Sequence, residues 1–452
     1  MNNNTTPAVA QIGLSVPASQ PQTPIAQSTV GTETELQRAP FFHGLLPRED
    51  IKTLLREPGE FLVRSTEPKS GEPRCFVLSV MIKHFLINRV ANNQFAIDSY
   101  CFDTIPRLVN YHLRQKVPVS RACSDSIIRR PVVRQSWELM HEDLEITKKL
   151  GEGAFGEVSF GRLRLPSGTK IDVAIKLAKL ESMRKEQIKE IMNESRMMRP
   201  LDHPNIKTYG VAALREPLLI VMEFASRGGL DGYLRKNTLS LGKKIEACAD
   251  TAFGLEYLHS KNCIHRDISA RNCLVKISDF GLTREGPAYQ MQFSKPIPIR
   301  WTAVETLRTG LYTFKSDVWS YGILCWEIFN KAAEPYLGMN QTEVSAKVKN
   351  GYRLSFSPEV PVDISNLIVK KCWLDCFSER PTMTEIAHHW ERVYAQTRPK
   401  PRAPPVYTAA NLQQSPESFA SPAVTTPCAS TPAAVIQLKH SKDKASDTGI
   451  FN

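Results

Sequence analysis

The sequence predicts an α+β protein with two folded segments, one short and one long, joined by a packed linker and flanked by unstructured arms. Three observations carry that reading. Apolar runs of strand length at Glu60-Phe61-Leu62-Val63-Arg64, Cys75 to Val80, His84 to Val90 and Gln94 to Ile97 lead into a helical pattern from about Ile105 to Arg114. A second group of strand-like runs surrounds the glycine-rich stretch Leu150 to Val158, and downstream the chain turns helical at Asp250 to His259 and at Asp317-Val318-Trp319-Ser320. The 452 residues, 42% apolar and 23% charged, suffice for two or three domains with a sizeable core.

Residues 1–39 are rich in Thr, Pro, Gln, Ser and Ala, so they cannot bury enough surface to offset their ordering entropy and are expected to be disordered. Composition changes at Pro40, and a folded segment runs to residue 124. Residues 125–140 hold Ile-Ile-Arg-Arg-Pro-Val-Val-Arg and Trp137, too apolar for a free tether and too short for a domain; they read as a linker packed on its neighbours. The long segment covers residues 141–396. Residues 397–452, rich in Pro, Ser and Ala, read as a second disordered tail.

Ten scattered cysteines without a C-x-x-C pair indicate reduced thiols and a cytoplasmic setting. The longest apolar run, Pro217 to Phe224, is too short to cross a bilayer, and the Asn-rich start has no signal-peptide profile. Asn2 excludes myristoylation and the ending Ile-Phe-Asn is no prenylation box, so membrane contact, at the inner face of the plasma membrane, is expected only through partners. The net charge of +12 comes without any Lys/Arg run interleaved with aromatics, which favours phosphate-bearing proteins over direct nucleic-acid binding.

In the short segment, Arg64 ends an apolar strand and the polar loop Ser65 to Arg74 follows. A buried cation there wants an anion, either a core carboxylate or a bound ligand. The stretch resembles the phosphate-binding signature of Src-homology-2 (SH2) domains. That resemblance covers residues 40–124 and implies a central antiparallel sheet flanked by two helices. It implies that Arg64 grips phosphotyrosine bidentately, with Arg48 and His84 as supports and Ser65 or Thr66 adding a hydroxyl. The partners would be tyrosine-phosphorylated proteins. Phe41 stands where that family opens with tryptophan, Leu86 where a basic residue is frequent, and the Met81-Ile82-Lys83 turn is short; these departures bear on peptide preference more than on phosphate binding.

In the long segment, Gly151-Glu152-Gly153-Ala154-Phe155-Gly156-Glu157-Val158 lets the backbone close over phosphates where side chains would clash. A dinucleotide fold uses a similar motif, but no helix pattern opens at Gly156 and Val173-Ala174-Ile175-Lys176 follows. His265-Arg266-Asp267, then Asn272, then Asp279-Phe280-Gly281 supply two carboxylates and an amide at spacings suited to phosphoryl transfer. Together these motifs resemble the nucleotide, catalytic and magnesium loops of protein kinases.

The resemblance implies a bilobal protein kinase fold with ATP and Mg2+ (or Mn2+) in the cleft. Asp267 would act as base or orienter, Asn272 and Asp279 as metal ligands, and Lys176 as the phosphate cation paired with Glu194. The glycine loop, Ala174 and Leu274 would enclose the nucleotide, Met222 would be gatekeeper, and Glu223-Phe224-Ala225 would read adenine through the backbone. Ser269 stands where serine/threonine kinases carry lysine, and Arg271 lies four residues after Asp267, as in tyrosine kinases. Pro296 to Glu305 resembles their substrate-side segment, closing on Arg380, and Tyr289 would be the regulatory tyrosine.

Trp137 and His141-Glu142-Asp143-Leu144 at the junction look most like the Fes/Fer family, whose membrane-bending N-terminal region has only the arm in its place here. The expected function is a non-receptor protein tyrosine kinase recruited through phosphotyrosine. The tail's Pro401-Arg402-Ala403-Pro404-Pro405 would suit polyproline-binding domains. One feature sustains an alternative, an inert scaffold that binds phosphotyrosine and ATP. Asp267 and Asp279 are twelve residues apart, about six fewer than is usual for such kinases. An antiparallel hairpin closing at Val275-Lys276 would keep Asn272 opposite Asp279, so a competent but less stable kinase is expected.

Overall fold

A computed structural model describes residues 34–399, except 70, 82, 154–155, 178–183, 205–207, 227, 274–279 and 292–296. The first of these correct an expectation. Residues 34–38 form a helix (α1), and Leu36 is buried against Phe41, Phe42, Phe61 and Leu214. Linker residue Arg134 donates from Nη1 to the carbonyls of Gln37, Ala39 and Phe42, at 3.4, 2.8 and 3.1 Å. One leucine and an arginine far along the chain thus order the end of an arm whose composition alone predicts disorder.

The short segment is a six-stranded sheet in the order β5-β4-β3-β2-β1-β6. Its strands are β1 (Glu60–Thr66), β2 (Cys75–Val80), β3 (Lys83–Arg89), β4 (Phe95–Ile97), β5 (Tyr100–Phe102) and β6 (Arg130–Pro131). The last comes from the linker and runs parallel to β1. Alternation along β1 divides its side chains between two cores. Leu62 meets Ile51 and Leu55, in and just beyond helix α2 (Arg48–Leu54), while Phe61 and Val63 meet Leu108 and Val109 of α3 (Ile105–Gln115). Thr104 caps α3 by accepting from the Arg107 amide at 3.3 Å, with Pro106 in the first turn.

The linker then crosses to the long segment. Val132 N donates to Phe61 O at 2.9 Å, and the Val211 amide donates to Trp137 O at 2.8 Å. Gly210 makes this approach possible: its φ is +148°, and a Cβ there would lie 2.1 Å from Trp137 O.

The N-terminal lobe is a five-stranded antiparallel sheet, β10-β11-β9-β8-β7, from β7 (Leu144–Gly153), β8 (Gly156–Arg164), β9 (Lys170–Leu177), β10 (Thr208–Ala212) and β11 (Leu219–Glu223), with helix α4 (Lys185–Met198). The C-terminal lobe begins with α5 (Leu230–Lys236) and α6 (Leu241–Ser260). The short strands β12 (Cys263–Ile264), β13 (Arg284–Glu285), β14 (Ala288–Gln290) and β15 (Leu311–Thr313) frame its loops. Helices α7 (Val304–Thr309), α8 (Phe314–Phe329), α9 (Gln341–Lys349), α10 (Val362–Leu367) and α11 (Met383–Tyr394) complete it.

The C-terminal core holds Trp319, Trp373 and Trp390. Arg398, at the start of the expected tail, still pairs with Glu391 at 2.7 Å and with Glu256. Among the described residues all cysteines are free, and no helix is long and apolar enough to cross a membrane.

Glu305 and Arg380 form the predicted buried pair, with Arg380 Nη2 and Nη1 donating to Oε2 and Oε1 at 2.7 and 2.9 Å. Removing one partner strands the other charge in the core. Arg380→Ala should destabilise the long segment by about 3 to 5 kcal/mol, read by chemical denaturation, and Glu305→Ala on that background should cost far less than it does alone.

Candidate functional site

Strand pairing builds the cleft. Gly153 faces Gly156 across the β7–β8 turn, Gly151 faces Val158, Val158 faces Lys176, and Ala174 faces Met222, so the residues expected around a nucleotide share one sheet. Gly156 has φ +137°, a conformation that side chains disfavour. Glu152 instead pairs with Lys149 at 2.8 Å on the exposed side. Ala154 and Phe155 lie outside the described residues.

Lys176 Nζ reaches both carboxylate oxygens of Glu194 on α4, at 2.7 and 3.0 Å, with both side chains largely shielded from water. Below β11 the chain passes through Glu223 and Ala225, both half-buried, into the C-terminal lobe.

Residues 265–273 are hung from α8. Asp317 Oδ2 and Oδ1 accept from the His265 and Arg266 amides at 2.7 and 2.9 Å, which holds Arg266 at φ +73°. Asp267 accepts from Arg271 Nη2 at 2.5 Å, and the Asn272 side-chain amide donates to the Asp267 carbonyl at 2.8 Å. The base candidate and its two neighbours are thereby brought together. Leu274, Asp279 and the shortened hairpin between Asn272 and Asp279 lie outside the described residues.

Arg271 also lies over Trp301, 4.4 Å from the ring centroid. Tyr289, on β14, rests against the guanidinium groups of Arg266 (4.3 Å) and Arg284 (5.4 Å). Among the described residues no three His, Cys, Asp or Glu side chains converge as a metal cluster. A magnesium held by one amide, one carboxylate and substrate phosphates needs no such cluster.

The second site is on the first sheet. Arg64 is 2% exposed, yet among the described residues no carboxylate pairs with it: Nη1 reaches only Leu46 O at 3.5 Å, and Nε has no partner. Burial, then the nearby Arg48, lowers its pKa to about 10. His84 is pushed down to about 4 by burial and by the charges of Arg64 and Arg48, with Nδ1 3.0 Å from Ser79 Oγ. Three groups able to carry positive charge thus lie near one another, and among the described residues no carboxylate forms an ion pair with Arg64. Thr66 shares the face of Arg64 by strand alternation, whereas Ser65 points to the opposite face. Cys75, which sequence reasoning passed over, shares the Arg64 face beside Thr66, its thiol pKa raised by burial.

A family model matches each of the two folded segments. The model described as protein tyrosine and serine/threonine kinase matches residues 144–390, and the SH2 domain model matches residues 41–112. The chain is 37% identical over 367 residues to Fer-related kinase 1 of Caenorhabditis elegans, covering 78% of this chain and 93% of that protein. It belongs to the Fes/Fer family of non-receptor tyrosine protein kinases. It is also 39% identical over 371 residues to human tyrosine-protein kinase Fer, covering 78% of this chain and 44% of that protein. With the transforming protein Fps of avian sarcoma virus it shares 37% over 349 residues, 74% of this chain and 63% of that one.

Sequence reasoning missed how this Fes/Fer kinase joins its two sites. The α2 helix that carries Arg48 also carries Asp50, whose carboxylate is 1% exposed and takes Arg196 at 2.8 Å and Arg199 at 2.7 Å, both at the end of α4. Glu49 adds Lys189 at 3.2 Å, and Arg199 covers the Trp137 ring at 3.4 Å. The acidic pair after Arg48 was visible in the sequence; its partners, about 150 residues away, were not.

The guanidinium of Arg64, with no carboxylate partner among the described residues, generates a direct prediction. Arg64→Ala should weaken binding of a phosphotyrosine peptide by about 2 to 5 kcal/mol, since it strips the main partner from a dianion. Titration calorimetry with phosphorylated and unphosphorylated forms of one peptide checks it; equal binding of both to the parent would refute the pocket.

Proposed function

We propose that the chain transfers the γ-phosphoryl group of ATP to tyrosine side chains of proteins to which its Arg64 pocket recruits it. The observation that carries this reading is the Lys176–Glu194 pair, 2.7 Å apart in the N-terminal lobe, together with the Asp267, Arg271 and Asn272 cluster of the C-terminal lobe. A shielded cation beside a turn of paired glycines is donor chemistry suited to nucleotide phosphates, and Asn272 with Asp279 suits magnesium or manganese.

Bound metal and ATP supply a phosphoryl group whose charge is largely neutralised. Lys176 adds positive charge at the phosphates and is aimed by Glu194. Val158, Ala174, Met222 and Leu274 would line the adenine site, and the Glu223 and Ala225 backbone would hydrogen-bond its edge. Asp267 orients the tyrosine hydroxyl and accepts its proton, held in place by Arg271 and by the Asn272 amide. A phosphate on Tyr289 would turn its ring contact with Arg266 into an ion pair and fix that loop. Recruitment to the inner face of the plasma membrane would come through phosphotyrosine partners, and residues 401–405 would add a polyproline contact.

The twelve-residue interval between Asp267 and Asp279 supports a second reading, an inert scaffold. Asp267→Asn should lower turnover of a tyrosine copolymer at least 100-fold, by the magnitude of general acid–base catalysis, roughly 10² to 10⁴. Insertion of Asp-Glu-Asn-Asn-Val-Val after Val275 should raise thermal stability and leave turnover within a few-fold of the parent. A parent no faster than Asp267→Asn, with activity appearing only after insertion, would establish the scaffold.

A further inference from the structure

Near the C-terminal end of α8, Glu327 is 5% exposed and serves two elements. Its Oε2 accepts from the Ala270 amide in the catalytic loop at 2.9 Å and from the Trp301 indole in the substrate-side segment at 3.0 Å. Trp301 in turn carries Arg271 on its ring, 4.4 Å from guanidinium carbon to centroid, and Arg271 holds Asp267 at 2.5 Å. These contacts close a ring: Asp267, Arg271, Trp301, Glu327, Ala270 and back along the loop.

Asp317 and Glu327 are ten residues apart on α8, about 15 Å along its axis at the helical rise. One carboxylate hangs the start of the catalytic loop, and the other hangs its middle. Only the second also takes hold of the segment on which a substrate tyrosine would lie.

We propose that Glu327 is a positioning residue for the phosphoacceptor tyrosine: it fixes the distance between the Asp267 loop and the Trp301 platform, with Arg271 as the link between them. The proposal rests on the tyrosine kinase reading above and adds to it the device that registers substrate against base. Alignment matters here because phosphoryl transfer depends on an in-line approach, and a misplacement of about 1 Å can cost on the order of 100-fold in rate.

The location is costly for a carboxylate, which argues against a purely stabilising role. Burial lifts the Glu327 pKa to about 7, against the Trp301 indole, the Ala270 amide and Arg271, which lower it; Asp231 raises it. The end of a helix, where backbone carbonyls point outward, also disfavours negative charge. The groups that face Glu327 are Arg271 and Cys273 of the loop and Asp231 of α5, which pairs with Arg235 at 3.1 Å. Because its folded pKa exceeds the usual carboxyl value of 4.5, stability falls as pH rises toward 7 and the deficit is fully present above it. A neutral isostere should therefore keep or raise stability at pH 8 while weakening charge-assisted bonds to the loop and platform.

The test compares the full chain with Glu327→Gln and Trp301→Phe, which removes the indole donor but keeps a ring for Arg271. Initial rates at pH 8 give kcat and KM for magnesium-ATP and for an unphosphorylated Glu/Tyr copolymer, with Tm read alongside. Both variants should lose about tenfold in kcat/KM for the copolymer, by the sensitivity of rate to alignment, with KM for ATP within about twofold. Tm of Glu327→Gln should equal or exceed the parent's, and the double variant should lose no more than either single one.

Parent-like copolymer kinetics in Glu327→Gln overturn the proposal. So does a loss that falls on ATP and Tm in parallel, which is what a purely structural role gives. A parent no faster than Asp267→Asn contradicts the kinase reading instead. The proposal is then decided by the copolymer's affinity measured by titration, which Glu327→Gln must weaken.

Discussion

A buried carboxylate in one domain sets the position of a helix in another. Asp50 is 1% exposed, and a carboxylate so buried is costly unless it is paired; Arg196 and Arg199, three residues apart on one face of α4, supply the partners. Glu194 lies two residues before Arg196, about 200° around the helix, so it faces the other way, toward Lys176. The helix is therefore gripped from opposite sides. Rotating it away from Lys176 would also strip Asp50 of its cations, and would disturb the buried cluster to which Ile51, Leu55, Ile188 and Met192 all belong. The orientation of the phosphotyrosine module and the readiness of the kinase cleft are thus one physical problem.

The second constraint is α8, which presents polar groups at both ends of an otherwise apolar rod. Near its start Asp317 accepts two consecutive backbone amides and holds Arg266 in a left-handed conformation, and near its end Glu327 accepts a third. The catalytic loop has little regular structure of its own. Its geometry is borrowed from a helix whose other side chains, Trp319, Tyr321 and Ile323, fill the core. Loop residues held in this way can carry chemistry because the loop's entropy is already lost on folding.

The parts of this arrangement that were legible in the sequence are those where local pattern and chemistry coincide. Arg64 at the end of an apolar strand, the glycine loop before Lys176, and Asp267 with Asn272 are each defined by neighbours within a few residues, and the structure brings each into a site. What stayed hidden depends on distant partners. The α1 helix is ordered by Arg134 and Leu214, and β6 exists because Gly59, Phe61 and the linker meet. Composition averaged over residues 1–39 could not register one buried leucine. Glu327 reads in sequence as one more residue of an apolar helix; only its convergence with Ala270 and Trp301 gives it meaning. Ser65 and Thr66 were interchangeable as a sequence pair, and strand alternation separates them.

The central claim is that α4 is held in register by Asp50. Hydrogen–deuterium exchange of the α4 amides, residues 188–198, in the full chain and in Asp50→Asn tests it most directly. The account predicts that exchange across α4 speeds by about tenfold in the variant, equivalent to about 1.4 kcal/mol of lost local stability, while α8 exchanges as in the parent. Unchanged protection of α4 in Asp50→Asn would contradict it.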